Sequence, residues 1–337
     1  MMPWRHRIEA TVTRAWYEGA WWLWLFWPLS LLTALAVGWR RYRIKPAPLS
    51  VPVVVVGGIT VGGTGKTPVL MALAEALQKQ GHKVGIISRG YGGTVGKGPY
   101  RVMPDSSAAL VGDEPLLMAQ RSDWPVVVGQ DRYAAAQLLI DRHKPSLILS
   151  DDGLQHLQLP RAFEIIVLDA SRLTGNGRLL PMGPLREPAA RLDTVDWVLK
   201  RNGEQEETGF RYQLEHFEHA SSAKTLGVED IALQWQGLRV AAVTGLGQPE
   251  QFFSALGSLG LNVAPYAFPD HHALTAHDLE KIAADVIVVT EKDAVKLMGV
   301  QEDRIWVLVI SATMPDALLR RLDAQFNQEE VNLCSTS

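Results

Sequence analysis

A glycine-rich segment early in the sequence has the residue types of a phosphate-binding loop. Its glycines allow backbone N–H groups to turn toward a phosphate, and the helix that follows adds a favourable dipole at its N-terminus. In such a loop Lys66 would reach the β- and γ-phosphates of a nucleotide, and the hydroxyl of Thr67 would take part in a magnesium site. The segment consists of Thr60, Val61, Gly62, Gly63, Thr64, Gly65, Lys66 and Thr67.

The context of this segment favours a phosphate-binding loop over a plain glycine-rich turn with an incidental lysine. The β-branched run Val51–Val56 precedes it, and helical periodicity follows from Thr67 to Gln80. Strand, loop and helix in this order are what the motif requires. Thr60 stands where the strict motif has its first glycine, so we predict a phosphate-binding loop with one departure from the strict pattern.

Two adjacent carboxylates end a later apolar run, because Asp151 and Asp152 directly follow Leu147–Ser150. The C-terminal ends of parallel strands open on the edge of the sheet where ligands bind, and a carboxylate there can hold magnesium on a nucleotide. Taken alone, such a strand end could equally cap a loop or a helix. The phosphate-binding loop upstream favours a Walker B-type role, and the residues leave open how the two carboxylates share it.

Three further polar segments have ordinary structural interpretations when taken alone. Asp113 opens a predicted helix, where an acidic residue is routine. Tyr91 lies in a second glycine-rich loop and could either stack on an adenine or fill a turn. The run Thr290–Asp293 follows a predicted buried strand and could be a helix cap or a ligand contact.

Two pairs of adjacent residues also carry polar groups without a local reason to assign them chemistry. Arg186 and Glu187 lie in a proline-rich loop and would ordinarily form a surface ion pair. His271 and His272 follow an aspartate at the end of a predicted strand, and adjacent histidines in a loop are more often exposed than functional.

Strands alternate with helices along most of the chain, which indicates a parallel sheet covered on both faces. The polar stretch Arg201–Gly209 interrupts the alternation, and a second one begins at Arg239–Val243. We therefore predict an α/β fold with a P-loop NTPase-like parallel sheet and a second, smaller α/β unit. The predicted divisions are an N-terminal membrane-associated helix at 1–45, a nucleotide-binding domain at 46–210, and a second domain at 211–337 that closes the active-site cleft.

The N-terminal segment differs physically from the rest of the chain, because no charged residue occurs between Glu18 and Arg40 and tryptophans are frequent there. About 20 apolar residues suffice to cross a bilayer as a helix, and tryptophan favours the headgroup boundary. The basic cluster from Arg40 to Lys45 suits the cytoplasmic side or an anionic lipid surface. We predict a membrane anchor rather than a cleaved signal or a buried core helix, and leave open whether it spans the bilayer or lies in one leaflet.

Composition excludes several classes of protein. The 337 residues carry a net charge of −3, which argues against a general nucleic-acid binder. The single cysteine, Cys334, excludes a disulfide framework and a cysteine-rich zinc site. With 47% hydrophobic and 20% charged residues, the chain has the composition of a folded protein. No obligate protein partner is evident from the sequence.

As a set, the motifs resemble the bacterial lipid A 4′-kinase family, the tetraacyldisaccharide 4′-kinases. The matching segments run through nearly the whole chain in the family's order, and two of them, 150–156 (SDDGLQH) and 183–188 (GPLREP), are quite specific. The family's phosphate loop also tolerates a first residue other than glycine, as at Thr60. The remaining segments are the hydrophobic N-terminus, Val61–Pro68, Ser88–Gly92, Gly112–Pro115, Gly175–Gly177, Phe268–His271 and Thr290–Asp293.

The resemblance implies transfer of the γ-phosphate of ATP to the 4′-hydroxyl of an acylated glucosamine disaccharide 1-phosphate, giving lipid IV-A. The reaction would take place among membrane lipids at the cytoplasmic face of the inner membrane. The resemblance also implies that Lys66 and Thr67 bind phosphate and Mg²⁺, with Asp152 completing the metal site. The other roles it implies are a base dyad of Asp113 with His271 (His272 being the fallback), an adenine contact at Tyr91, and an active-site pair of Arg186 and Glu187.

The principal alternative is a membrane-associated P-loop ATPase switch of the partitioning or targeting type. Such proteins usually carry a lysine just ahead of the paired glycines, where this chain has Val61. A switch would hydrolyse ATP without a glycolipid acceptor, whereas a kinase needs the acceptor, so the two classes are distinguishable by assay.

Overall fold

The structure, a computed structural model, describes residues 4–334 except 97, 223 and 271. Its strands form two sheets. The strands of the first sheet are β1 (Val53–Gly57), β2 (Val84–Ser88), β3 (Tyr100–Val102), β4 (Val126–Val128), β5 (Leu147–Asp151), β6 (Phe163–Asp169), β7 (Trp197–Arg201) and β8 (Gly209–Phe210). Those of the second are β9 (Tyr212–His219), β10 (Thr225–Gly227), β11 (Val240–Thr244), β12 (Val263–Ala267), β13 (Val286–Thr290) and β14 (Ile305–Ala312).

Helices connect these strands and cover the sheets. The α-helices are α1 (Trp4–Glu18), α2 (Trp27–Arg43), α3 (Lys66–Lys79), α4 (Ala108–Val111), α5 (Asp113–Arg121), α6 (Arg132–His143), α7 (Ile231–Gln234), α8 (Pro249–Ser258), α9 (Ala276–Glu280), α10 (Glu291–Ala294) and α11 (Asp316–Cys334). Short 3₁₀ segments lie at Trp21–Phe26, Ala189–Asp193 and Val295–Leu297.

The first sheet has the order β3-β4-β2-β5-β1-β6-β7-β8, and its pairings are parallel except for β3 with β4. Successive residues of β1 face opposite sides: Val54 and Val56 enter one core, while Val53 and Val55 enter another. A strand buried on both faces has to be apolar throughout, which explains the uninterrupted valines. The predicted α/β fold with a parallel sheet is confirmed.

The second sheet has the order β10-β9-β14-β13-β11-β12. The four strands β11 to β14 pair in parallel, as the alternation of strands and helices indicates. The antiparallel strands β9 and β10 at one edge were not predicted. Their half-exposed residues between Tyr212 and His219 lack the continuous apolar run that marks a fully buried strand.

The last helix, α11, lies against the first sheet although the chain reaches it from the second. Its residues Leu318, Leu322 and Phe326 are buried in the same core as Leu70 of α3 and Phe163 of β6. The two sheets are therefore linked by packing at the end of the chain as well as by the connection between β8 and β9.

The N-terminal segment presents an apolar face to the outside of the protein. Residues Trp21–Arg43 form one helix of 23 residues that is long and apolar enough to cross a membrane, with mean hydropathy 1.5 and 11% of its apolar window buried. This exposure contradicts the buried-core interpretation. Its exposed large side chains include Trp21, Trp24, Leu25, Trp27, Leu29, Leu32, Leu35 and Trp39.

The N-terminal helices α1 and α2 are attached to one loop of the first sheet. The indole N–H of Trp16 donates to the carbonyl of Pro181 at 3.0 Å. The hydroxyl of Ser30 donates to the carbonyl of Leu179 at 2.8 Å and accepts from the N–H of Met182 at 3.0 Å. The N-terminal helices are thus held on a defined backbone segment, residues 179–182.

Candidate active site

The glycine-rich loop joins β1 to α3 at the C-terminal edge of the first sheet. Gly62 and Gly65 have φ values of 103° and 81°, a region that residues with a Cβ rarely adopt. Lys66 is the first residue of α3, so the loop amides and the start of the helix point to one place, as phosphate binding requires. The strand, loop and helix predicted from the sequence are all present.

A second loop lies alongside the glycine-rich loop and supports its backbone. The N–H of Val61 donates to the carbonyl of Pro184 at 2.9 Å, and the N–H of Arg186 donates to the carbonyl of Ile59 at 2.6 Å. These bonds place the side chain of Arg186 at the mouth of the loop.

Asp152 lies between two cations at this mouth. Its Oδ1 is 3.7 Å from the Nζ of Lys66, and Arg186 donates to its two carboxylate oxygens at 2.8 and 2.9 Å. Arg186 also donates to the carbonyl of Gly58 at 2.6 Å. Burial alone would raise the pKa of Asp152, but Lys66 and Arg186 outweigh it and hold this pKa below its usual range.

Asp151 has a different environment although it is the next residue. It ends β5, beside Val56 of β1, and its Oδ2 accepts a hydrogen bond from the hydroxyl of Ser88 at 2.9 Å. Its Oδ1 is buried and has no hydrogen-bond partner. Burial, with smaller contributions from Glu114 and Asp152, raises the pKa of Asp151 to about 7.

The oxygen atoms at this edge fit a magnesium ion that is bound together with phosphate. The Oδ1 of Asp151 and the hydroxyl of Thr64 are buried and have no hydrogen-bond partner. The side chain of Thr67 is buried next to the loop. Among the described residues no group of three or more His, Cys, Asp or Glu side chains could hold an ion alone. Mg²⁺ commonly takes one or two carboxylates and completes its shell with phosphates and water.

Arg186 and Glu187 do not lie together as the surface pair that their loop position suggested. While Arg186 turns to Asp152, Glu187 is only 2% exposed. The Nε2 of Gln155 donates to Glu187 at 2.7 Å, and the Nε of Arg191 donates to it at 3.2 Å. Glu187 therefore fixes the loop from beneath, while Arg186 faces the glycine-rich loop.

The structure places Asp113 where α5 meets the second unit. Asp113 is the first residue of α5 and is buried, and its Oδ2 lies 3.3 Å from the Nζ of Lys296. His271 lies outside the described residues. The fallback histidine, His272, has structural contacts: its Nε2 is 3.4 Å from Asp278, and its ring stacks on Phe268 with centroids 4.8 Å apart.

Tyr91 lies on the loop after β2 and is 64% exposed. It lines a cavity of about 160 Å³ together with Arg89, Gly129 and Gln130.

Thr290 begins the segment for which the sequence allows either a helix cap or a ligand contact. It caps α10 by accepting a hydrogen bond from the N–H of Asp293. The helix-cap interpretation of that segment is therefore confirmed.

Sequence reasoning missed two residues of the second unit that touch the glycine-rich loop. The hydroxyl of Tyr212 donates to the carbonyl of Gly65 at 3.0 Å, and the Nε2 of Gln248 donates to the carbonyl of Gly63 at 3.1 Å. Burial raises the pKa of Tyr212 to about 12. No local pattern marks either residue, because each contact depends on how the second sheet lies against the first.

Comparisons with known proteins agree with the motifs. The profile of the family described as tetraacyldisaccharide-1-P 4′-kinase matches residues 22–327. A tetraacyldisaccharide 4′-kinase of Legionella pneumophila (strain Corby) is 41% identical over 309 residues, covering 91% of this chain and 94% of the relative. One of Chromobacterium violaceum is 46% identical over 325 residues, covering 90% and 95%. The crystal structure of "apo" form LpxK from Aquifex aeolicus in complex with ATP has a TM-score of 0.73 and 28% identity, covering 90% of this chain and 99% of that one.

We predict that Gly65→Ala destabilises the protein. A Cβ on Gly65 would clash with the hydroxyl of Tyr212, and the φ of Gly65 is +81°, so the free energy of unfolding should fall by more than about 1 kcal/mol. Urea unfolding measures this change. Gly62→Ala is the matched control, because its φ is also positive, at +103°, while a Cβ there meets nothing within 4 Å. Equal losses for the two variants would contradict the role of Tyr212.

A second prediction concerns the contribution of Asp151 to the pH dependence of the protein's stability. Its pKa is raised from 3.8 to about 7 on folding, so its stabilising contribution is full below about pH 4 and declines up to about pH 7, by at most about 1.4 kcal/mol per pH unit. Asp151→Asn removes this decline. Urea unfolding in EDTA should show the free energy of unfolding of the variant rising relative to that of the wild type between about pH 5 and 7. No further relative rise is expected at higher pH. A constant difference across this range would contradict the raised pKa.

Proposed function

Because the chain belongs to the tetraacyldisaccharide-1-P 4′-kinase family, we propose that it transfers the γ-phosphate of ATP to the 4′-hydroxyl of a tetraacyldisaccharide 1-phosphate. The observation that carries this proposal is the 3.7 Å approach of Lys66 to Asp152. It brings the phosphate-binding loop and the acidic end of β5 to one point, as phosphoryl transfer requires.

Each residue at this point has a proposed role. The amides of the glycine-rich loop and the ammonium of Lys66 bind the β- and γ-phosphates, while Thr67 and Asp152 hold Mg²⁺, with the unpaired oxygen of Asp151 beside them. The ion, when bound, neutralises charge on the phosphates. Arg186 supplies a further positive charge where negative charge accumulates during transfer. Because Lys66 and Arg186 already contact Asp152, they must share this carboxylate with the metal.

The acceptor hydroxyl must lose its proton as the new P–O bond forms, and a nearby carboxylate or imidazole assists this step. We propose that Asp113 and His271 provide this base. Two observations support this: Asp113 is buried at the start of α5, and Asp270, the neighbour of His271, lies 3.7 Å from Lys292. Lys292 also contacts Glu114, the neighbour of Asp113, at 3.2 Å.

The remaining assignments belong to the same proposal. Tyr91 contacts the adenine from its exposed loop, and Glu187 keeps Arg186 in place through the loop that both occupy. The divisions at 1–45, 46–210 and 211–337 place the site between two α/β units, and Tyr212 and Gln248 bring the second unit onto the glycine-rich loop.

Transfer of label from ATP tests the proposed function. Purified protein, γ-labelled ATP and tetraacyldisaccharide 1-phosphate in detergent micelles should give labelled lipid. Lys66→Ala should lower the rate by about 10²-fold or more, because a cation at the phosphates is lost. Lys79→Ala, at the exposed end of the same helix, is the matched control. Equal ATP consumption without the lipid would instead support an ATPase switch.

We further propose that the exposed face of the helical stretch Trp21–Arg43 binds membrane lipids at the cytoplasmic face of the inner membrane. Acyl chains confine the acceptor to the bilayer, since each buried methylene contributes about 0.8 kcal/mol. An enzyme held at that surface meets its acceptor without leaving the membrane. Basic residues Arg40, Arg41 and Arg43 in the last turn of α2 suit an anionic headgroup layer.

Charged substitutions on this face test the membrane proposal. Leu32 and Leu35 are 61% and 62% exposed, so Leu32→Asp with Leu35→Asp should spare folding and ATP binding. The double variant should sediment less with phosphatidylglycerol vesicles and lose more activity on vesicle-embedded acceptor than on acceptor in detergent. Leu233→Asp, at a position 74% exposed on α7, is the matched control. Unchanged vesicle binding by the double variant would contradict the proposal.

A further inference from the structure

Two lysines of the second unit contact two consecutive carboxylates at the start of α5. The Nζ of Lys296 is 3.3 Å from Asp113, and the Nζ of Lys292 is 3.2 Å from Glu114. The lysines are four residues apart, in α10 and the 3₁₀ turn that follows it. They therefore lie on one face of a short helical segment and reach the first unit together.

Lys296 is held in place by the second unit before it reaches Asp113. Its side chain is 6% exposed, and its Nζ also lies 3.0 Å from Asp293, whose side chain is fully buried. Asp293 is in turn fixed by the hydroxyls of Thr244 and Thr290, at 2.8 and 2.7 Å. A buried ammonium with two carboxylate partners has a defined position, unlike a lysine on the surface.

Lys292 connects the same carboxylate pair to the loop before His271. Besides Glu114, its Nζ lies 3.7 Å from Asp270, and its side chain is 16% exposed. Burial alone would lower the pKa of Lys292, but Glu114 and Asp270 outweigh it and raise this pKa. The lysine thus joins the residue after Asp113 to the residue before His271.

We propose that Lys296 and Lys292 are positioning residues for the acceptor base: Lys296 orients the carboxylate of Asp113, and Lys292 holds the loop at 270 against α5. This inference rests on the proposed function. The two lysines act through Asp113 and the loop and do not touch the reacting atoms. Both lysines belong to α10 and the turn after it. The base is therefore correctly placed only when the second unit lies against α5.

The same pair of helical segments provides an internal control. At the other end of α5, Arg121 forms an ion pair with Glu291, the first residue of α10. This pair also joins the two units and is partly buried, but it involves neither Asp113 nor the loop at 270. Losing it tests how much activity depends on the interface alone.

The test compares Lys296→Met with Arg121→Met in the full-length protein, using the lipid-labelling assay. We expect Lys296→Met to lower kcat by about tenfold or more, while the Kd for ATP stays within about twofold. Arg121→Met should change kcat by less than about threefold. Equal losses in the two variants, or a Lys296→Met effect confined to ATP binding, would overturn the proposal.

A double-mutant cycle distinguishes positioning from general loss of structure. If Lys296 acts through Asp113, its substitution should cost little further activity in an Asp113→Asn background, so the two losses are not additive. Full additivity would overturn the inference. Lys292→Gln provides a second, more exposed variant if Lys296→Met does not fold, and it should show the same non-additivity with Asp113→Asn.

The outcomes separate this inference from the proposed function. If the wild-type protein labels no lipid, the proposed function fails whatever the lysine variants do. If the wild type labels lipid and both lysine variants match Arg121→Met, the function stands and the positioning role is wrong.

Discussion

The ion pairs of the Asp152 carboxylate with Lys66 and Arg186 are the interactions on which the rest of the site depends. Two adjacent aspartates at a buried strand end repel each other, and the two cations make one of them stably ionised. The guanidinium of Arg186 also donates a hydrogen bond to the carbonyl of Gly58. The group that stabilises ionised Asp152 therefore also fixes the backbone just before the glycine-rich loop. This arrangement requires β1 and β5 to be parallel neighbours, which they are.

Residues of the second unit contact the first unit at the candidate site. Its contacts are of two kinds: hydrogen bonds from Tyr212 and Gln248 to the backbone of the glycine-rich loop, and ion pairs from Lys292 and Lys296 to the start of α5. The first kind constrains where a phosphate would lie, and the second constrains the carboxylates at the start of α5. Both kinds come from the second unit, so the way this unit lies against the first determines both.

The parts predictable from the sequence are those that local patterns specify. The valine run of β1, the glycine-rich loop and the acidic end of β5 each need only a few consecutive residues, and the rule that parallel strands open on one edge brings them together. The opposite orientations of Arg186 and Glu187 could not be predicted, since they depend on Asp152 and Gln155 from another loop. Tyr212 was missed for the same reason.

One backbone segment touches both the N-terminal helices and the glycine-rich loop. It bonds to Ser30 through Leu179 and Met182, and a few residues later Pro184 accepts from Val61. If the apolar face of the N-terminal helices lies in lipid, as we propose, this short connection would set the height of the bound phosphate donor above the hydrocarbon. An acceptor would then be selected by how far its sugar projects from its acyl chains, and headgroup reach would become a criterion of specificity alongside headgroup chemistry.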